Sequence, residues 1–204
     1  MSPSTTPATN PMTTRDAIAQ VASDPATIER HFPAAARIAT REGRDGDAAR
    51  RELLLAIPGP AAYVVDLVRR VYEHGDPAER RAVLLALPAL DAPERSNAVG
   101  DAALPIVRDA LRTNDTRLVA AALGPYAATY LDDDAWRQAL LKVIFMGIPV
   151  EQVAGLAERS DAELARMVRD FAAEREAAGR IVPPDALTVL ALVDTPDPSP
   201  SRAD

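Results

Sequence analysis

The only lysine of the chain, Lys142, is the residue whose setting first suggests chemistry, because the other basic residues among the 23 are all arginine. It lies in the run ALLKVIFM, residues 139–146, which is apolar on nearly every side. A helix of that composition is normally central, so we expect the ammonium to be partly desolvated and its pKa lowered unless a carboxylate holds it. Lys142 is therefore a candidate acid–base or ligand-binding group. A snorkelling or salt-bridged structural lysine is the competing interpretation.

A second candidate cluster lies in the predicted helix 161–178. Arg175 falls on the same helical stripe as Leu164 and Phe171, so its guanidinium points along the face that carries core residues. A charge on that face needs a partner or a ligand. The charged residues that flank it are Glu174, Arg159, Asp161 and Arg180. An anion-binding pocket is one interpretation, and a structural network of ion pairs is the other.

Trp136, the lone tryptophan, completes the candidate set, because its ring could stack on a flat ligand if it lined a groove. A place in the core or an interface is the alternative. The acidic run before it, residues 132–134, is better explained by helix capping than by metal binding. His31 and His74 each precede an expected helix end, where capping is the simpler role.

Familiar catalytic and cofactor signatures are missing from the sequence. It contains no cysteine, which excludes thiolate nucleophiles, disulfides and cysteine-based metal sites. It has no nucleophile elbow and no phosphate-binding glycine pattern, and no histidine pair is spaced to hold a metal. We therefore predict neither a metal nor a cofactor.

The charge balance argues against nucleic acid as a partner. The net charge is −7, and no basic stripe offsets it. The first residues, MSPSTTPATNPM, do not resemble a secretory signal, and no apolar run is long enough to span a membrane. A cytoplasmic protein without membrane insertion is the expectation.

Composition and breaker residues predict an all-α fold. Hydrophobic residues make up 48% of the chain and aromatic residues only 4%, with alanine and leucine dominant, which favours close helix packing. Acidic or hydroxyl residues precede each apolar-periodic stretch, and Pro or Gly follows it. The predicted helices cover residues 14–22, 25–42 with a break at Pro33, 46–57, 60–73, 77–90, 94–112, 115–130, 133–146, 150–158, 161–178 and 184–193.

One phrase occurs twice: RRELLLAIP at 50–58 returns as RRAVLLALP at 80–88. This spacing is typical of stacked antiparallel helical hairpins, as in HEAT-like α-solenoids, because one hairpin cannot cover its own apolar face. Chance in a chain rich in Ala, Leu and Arg is the alternative. We predict a single helical domain over 13–193, with disordered tails at 1–12 and 194–204 that are rich in Pro, Ser and Thr.

Residues 114–185 resemble the EboA family, small helical proteins encoded in the ebo gene clusters of cyanobacteria and other bacteria. The matching elements are LGPYA at 123–127, AWRQALLK at 135–142, F-x-G-x-P at 145–149, the run from Arg159 through 163–167, and ER-x-AAGR at 174–180. Residues 12–100 fit only in their helical, repeat-like style. The resemblance implies a role beside natural-product enzymes that make or export secondary metabolites. It supplies no catalytic residue.

Two functions stay open at this point. In the first, an accessory protein holds a partner enzyme of the same cluster, or a small anionic metabolite, in a helical groove. Its ligand-binding residues would be Trp136, Lys142, Arg159, Glu174, Arg175 and Arg180. In the second, a cofactor-free tailoring enzyme uses Lys142 and Glu174 as acid and base in an interhelical pocket.

Overall fold

Helix-starting and helix-breaking residues alternate along the chain. The computed structural model describes residues 11–194. Every regular element in that range is helical, which confirms the predicted all-α class. Nearly all of the two predicted tails, 1–12 and 194–204, lies outside the described residues. The chain divides between Ala103 and Leu104 into two compact units. The prediction of one domain over 13–193, built as an array of antiparallel hairpins, stays a prediction.

The first unit contains five α-helices around an aliphatic core. They are α1 (Thr14–Ser23), α2 (Ile28–Arg41), α3 (Gly46–Leu55), α4 (Ala61–His74) and α5 (Pro77–Leu90), with 3-10 turns at Pro25–Thr27 and Gly100–Ala103. Helix α3 packs against both α2 and α5, and α4 packs against α5. The fully buried side chains at these contacts include Ile28, Phe32, Leu53, Leu67 and Leu87.

The second unit contains seven α-helices, which range from short ones such as α10 to α11, the longest helix described. They are α6 (Leu104–Arg112), α7 (Thr116–Ala122), α8 (Pro125–Tyr130), α9 (Asp133–Met146), α10 (Leu156–Arg159), α11 (Ala162–Ala177) and α12 (Pro184–Asp194), with a 3-10 turn at Val150–Gln152. Helix α9 packs against α7 and α11, and α11 packs against α12. The buried side chains of α9 include Trp136, Leu140 and Ile144, so α9 supplies much of this core.

Acidic caps fix where several helices begin. Asp76 and Glu79 form a reciprocal capping box at α5, and Asp132 accepts from the Ala135 amide at α9. At α11 the cap is Asp161, which accepts from Leu164 N, and not the preceding Ser160. The Ser160 hydroxyl instead donates to Leu156 O and closes α10. Each bond satisfies one of the backbone groups that a helix end leaves free.

Four of the predicted helices were wrong in their bounds or their continuity. Helix α2 continues through Pro33 without a break. The predicted helix 115–130 is divided at Gly124–Pro125, where Pro starts α8. Residues 94–99 are not helical, and 150–158 forms a 3-10 turn and a short helix on either side of Gly155, which has a φ of 75°. These breaks depend on tertiary contacts that the apolar spacing does not encode.

The repeated phrase marks equivalent positions in two helices that pack together, α3 and α5. Its first arginine makes the same kind of contact in both copies. The Arg50 guanidinium lies 5.6 Å from the Phe32 ring of α2, and that of Arg80 lies 5.4 Å from the Tyr72 ring of α4. Each also donates to a carbonyl near the aromatic residue. The repeat therefore encodes a shared packing contact with the preceding helix.

Among the described residues, no helix combines the length and the apolar character that crossing a bilayer requires.

Pro33 leads to a stability prediction. It has no N–H, so the Glu29 carbonyl one turn earlier in α2 receives no helical hydrogen bond from it. We expect Pro33→Ala to restore that bond and to raise the free energy of unfolding by about 1–2 kcal/mol, after part of the gain is offset by a freer unfolded chain. Urea unfolding followed by circular dichroism measures it. A lower unfolding midpoint would contradict this explanation of α2.

Candidate functional site

Lys142 lies on α9 and closes the carboxyl end of α6. Its ammonium donates to Leu111 O at 2.7 Å and to Thr113 O at 2.6 Å. The side chain is half-buried. Because the last carbonyls of a helix have no partner within the helix, a cation at this end gains both hydrogen bonds and a favourable dipole. Lys142 therefore has a structural role at the end of α6, and two of the three N–H donors of its ammonium are already used.

Trp136 and Arg159, two of the ligand-binding residues predicted from sequence, pack against each other. The Arg159 guanidinium lies 5.1 Å from the indole ring, and Trp136 is 1% exposed. Arg159 also donates to Ala128 O at 3.0 Å and to Leu131 O at 2.8 Å, at the end of α8. It forms an ion pair with Asp133 at 2.8 Å. This guanidinium thus joins α8, α9 and α10.

Ion pairing also accounts for Asp161, which the sequence analysis placed in the same network. Arg137 on α9 donates to both of its carboxylate oxygens, with Nη2 2.5 Å from Oδ2. The Arg137 hydrogen bonds and the Leu164 amide lower the pKa of Asp161 below its ordinary range. The pair connects α9 to the first turn of α11.

The remaining predicted ligand residues lie near the end of α11. The Arg175 guanidinium lies 5.6 Å from the Phe171 ring and donates to Ile181 O at 2.7 Å, which ties α11 to the segment before α12. Glu174 and Arg180 are exposed. Within residues 11–194 the Glu174 side chain makes no hydrogen bond or ion pair. The structure therefore joins Trp136 with Arg159, and it gives Lys142 and Arg175 separate carbonyl partners.

A groove on the first unit was missed by the sequence analysis. It lies between α1 and α2 and has a volume of about 970 Å³. Three arginines of α2 line it together with apolar side chains: Arg30, Arg37, Arg41, Met12, Ala34 and Ile38. In the part of the chain that the structure describes, none of these arginines forms a salt bridge. The signal was available, because positions 30, 34, 37 and 41 follow one face of a helix.

His31 lies at the inner wall of this groove and is not a helix cap, contrary to the expectation from sequence. It is 4% exposed, and its Nε2 lies 2.9 Å from Gln20 Oε1 and 3.1 Å from Arg30 Nη2. Burial, and then the charge of Arg30, lowers the pKa of His31. His31 therefore packs against the Gln20 and Arg30 side chains inside the groove wall. His74 does lie at a helix end, where its Nδ1 contacts Arg70 O in α4.

Residues 11–194 contain no group of three or more His, Cys, Asp or Glu side chains placed to hold a metal ion. The run Asp132–Asp134 caps α9 and pairs with arginines, in agreement with the interpretation made from sequence.

Comparison with known proteins identifies the family. The family model described as "Metabolite traffic protein EboA" matches residues 40–191, about three quarters of the chain. The protein belongs to the EboA family. The match confirms the resemblance seen in 114–185 and extends it through α3, α4 and α5, a region that the sequence analysis treated as diverged. No curated protein and no solved structure matches the chain.

The hydrogen bonds from Lys142 to two carbonyls lead to a prediction about the stability of this EboA-family protein. Lys142→Met leaves the Leu111 and Thr113 carbonyls without their donor, so we expect the free energy of unfolding to fall by about 1–3 kcal/mol. Arg112→Met removes an exposed cation from the same helix end and should cost less than about 0.5 kcal/mol. Chemical denaturation of both variants measures the difference. Equal losses would show that the hydrogen bonds of Lys142 contribute nothing specific.

His31 gives a pH prediction. Its pKa is lowered by folding from an ordinary value of 6.5, so the folded protein takes up the proton less readily than the unfolded chain. The stabilisation is complete above that ordinary value and is lost as the pH falls through it towards the lowered pKa. We expect the wild-type urea midpoint to fall between about pH 7 and pH 5. His31→Gln should flatten this slope, and an unchanged slope would contradict the assignment to His31.

Proposed function

We propose that this EboA-family protein is a non-catalytic accessory protein that binds a small anionic metabolite in the groove between α1 and α2. One observation carries the proposal: three arginines line one groove and none of them forms a salt bridge within the described chain, although the protein as a whole has a net charge of −7. Unpaired cations beside apolar surface attract a ligand that brings the missing negative charge. The family description, a metabolite traffic protein, agrees with such a role.

The dimensions of the groove define the ligand further. Arg30 and Arg41 are eleven residues apart on α2, a separation of about 16 Å along the helix axis. Met12, Ala34 and Ile38 provide apolar surface between and beside the guanidiniums. A metabolite with an extended apolar body and a phosphate or carboxylate group fits both features, because guanidiniums bind such groups through two parallel hydrogen bonds. The volume also falls within the usual range for small-molecule sites.

The wider setting follows from the family and is part of the same proposal. We place the protein in the cytoplasm, beside a partner enzyme of secondary metabolism, where it holds an intermediate of natural-product biosynthesis or export. Its helical pairs would stack in the HEAT-like manner that the repeated phrase favours. Acid–base catalysis by Lys142 and Glu174 stays the alternative prediction. It requires turnover by the purified protein that Lys142→Met abolishes.

Binding of an amphipathic anion tests the proposed site. The probe is anilinonaphthalene sulfonate, whose fluorescence rises when its apolar rings leave water. We expect Arg37→Gln/Arg41→Gln to raise the dissociation constant about tenfold, since each change removes a cation from the groove. The effect should shrink at high salt, because exposed charges are screened. Circular dichroism establishes that each variant is folded, so that probe binding to unfolded protein is not mistaken for site binding.

Two control variants with the same change in net charge locate the site. Arg51→Gln/Arg112→Gln removes exposed arginines outside the groove, and we expect it to leave binding unchanged. Arg175→Gln/Arg180→Gln tests the ligand cluster predicted from sequence, which also includes Trp136, Lys142, Arg159 and Glu174. If that variant weakens binding and the α2 variant does not, the anion site belongs in the second unit and the groove proposal is wrong.

A further inference from the structure

A second and more enclosed cavity lies on another face of α2, where α2, the end of α4 and the start of α5 meet. Its volume is about 220 Å³. Phe32, Pro33 and Val71 provide apolar walls, and Glu29, Arg70, His74 and Glu79 provide the polar ones. The cavity is large enough for a ligand of a few to about ten heavy atoms.

Gly75 makes this junction possible. A Cβ at this position would lie 2.8 Å from Val71 O and 2.9 Å from Glu79 Cβ, so a side chain would push α4 and α5 apart. With glycine, the first turn of α5 approaches closely and places Glu79 at the cavity wall. Glu79 is 8% exposed, and it is one of the four buried polar or charged residues of the described chain.

The buried Glu79 carboxylate is one acceptor in the cavity wall. Its Oε2 accepts from Asp76 N, while its Oε1 has only a long ion pair with Arg50 at 3.5 Å. His74 Nδ1 lies 2.8 Å from Arg70 O and donates to it, since a carbonyl can only accept, so Nε2 is the ring nitrogen left to contact a ligand.

The charge of the wall favours a cation. Two carboxylates, Glu29 and Glu79, line the cavity with one guanidinium, Arg70. Arg70 is shared, because it pairs with Glu29 at 3.0 Å and with Asp66 at 3.3 Å. An ammonium brings three donors and no acceptor, which suits the two carboxylates of this wall. An anion would face two carboxylates.

We propose that this cavity is a binding site for a small organic amine, with the ammonium held by Glu79, Glu29 and His74 and the alkyl part against Phe32 and Val71. The site is separate from the anion groove and takes a ligand of opposite charge. An alkylammonium placed against an aromatic ring and paired with a buried carboxylate gains electrostatic stabilisation that bulk water does not provide.

Three probes of matched shape test the charge preference. They are cyclohexylamine, cyclohexanol and cyclohexanecarboxylate, titrated into the full ¹⁵N-labelled chain at pH 7 and followed by amide chemical shifts. We expect the amine alone to shift the amides of Phe32, Val71 and Gly75 in a saturable way at millimolar concentration. Equal or tighter binding of the carboxylate, or no saturable shift with the amine, would overturn the proposal.

Substitutions then assign the carboxylates. Glu79→Gln removes the charge but keeps an oxygen that can accept from the Asp76 amide at the start of α5. Glu29→Gln changes a side chain that is 51% exposed, so we expect the variant to fold. We expect each to weaken amine binding about tenfold. Glu73→Gln on α4 is the matched control, since Glu73 pairs with Arg69 and does not line the cavity. Amine binding that is equally strong in wild type and in Glu29→Gln and Glu79→Gln would also overturn the site.

The two proposals fail separately. Anilinonaphthalene sulfonate reports on the arginine groove, and its binding should be unaffected by Glu29→Gln. If the wild-type protein binds the sulfonate but not the amine, the amine site alone is wrong. If it binds the amine but not the sulfonate, the anion groove alone is wrong.

Discussion

Unpaired carbonyls at helix carboxyl ends are the constraint on which much of this structure depends. The chain builds many short helices, and each one leaves its last carbonyl groups without partners in its own backbone. Basic side chains from other segments supply the missing donors. Lys142 does so for α6, Arg159 for α8 and Arg80 for α4. Each bond joins two elements and uses the favourable interaction of a cation with the negative end of a helix.

Arginine suits this role because the same guanidinium also covers aromatic surface. Four such pairs occur among the described residues: Arg50 with Phe32, Arg80 with Tyr72, Arg159 with Trp136, and Arg175 with Phe171. A planar guanidinium can stack on a ring while its edge donates to carbonyls, and an ammonium has no such edge. Four of the eight aromatic side chains of this chain therefore pack against an arginine.

These contacts change which charged residues are candidates for binding a ligand. Cations that already bind carbonyls and rings have few donors left for a ligand. Arg37 and Arg41 are different, since they are exposed and lack salt bridges within the described chain. Helix α2 is therefore the element of greatest functional interest. It contributes Arg30, Arg37 and Arg41 to the groove and Glu29, Phe32 and Pro33 to the smaller cavity.

Local patterns in the sequence were enough for the fold class and for most helix starts. Alanine and leucine at helical spacing, acidic caps such as Asp76 and Asp132, and the repeated phrase at 50–58 and 80–88 are signals carried by neighbouring residues, so they can be read without a structure. The motifs of 114–185 likewise identified the family, because they are contiguous.

Only the tertiary structure decided what each charge does. The carbonyls that Lys142 binds lie 29 and 31 residues away, and Arg159 reaches Ala128 and Leu131 across similar separations. Helical periodicity tells which face a side chain occupies, but not which helix end lies opposite it. For the same reason the sequence favoured Lys142 as a reactive group, whereas packing made it a helix cap and left the unpaired cations on α2. The partner of a charge is a property of the packed chain, because it depends on contacts between segments that are distant in sequence.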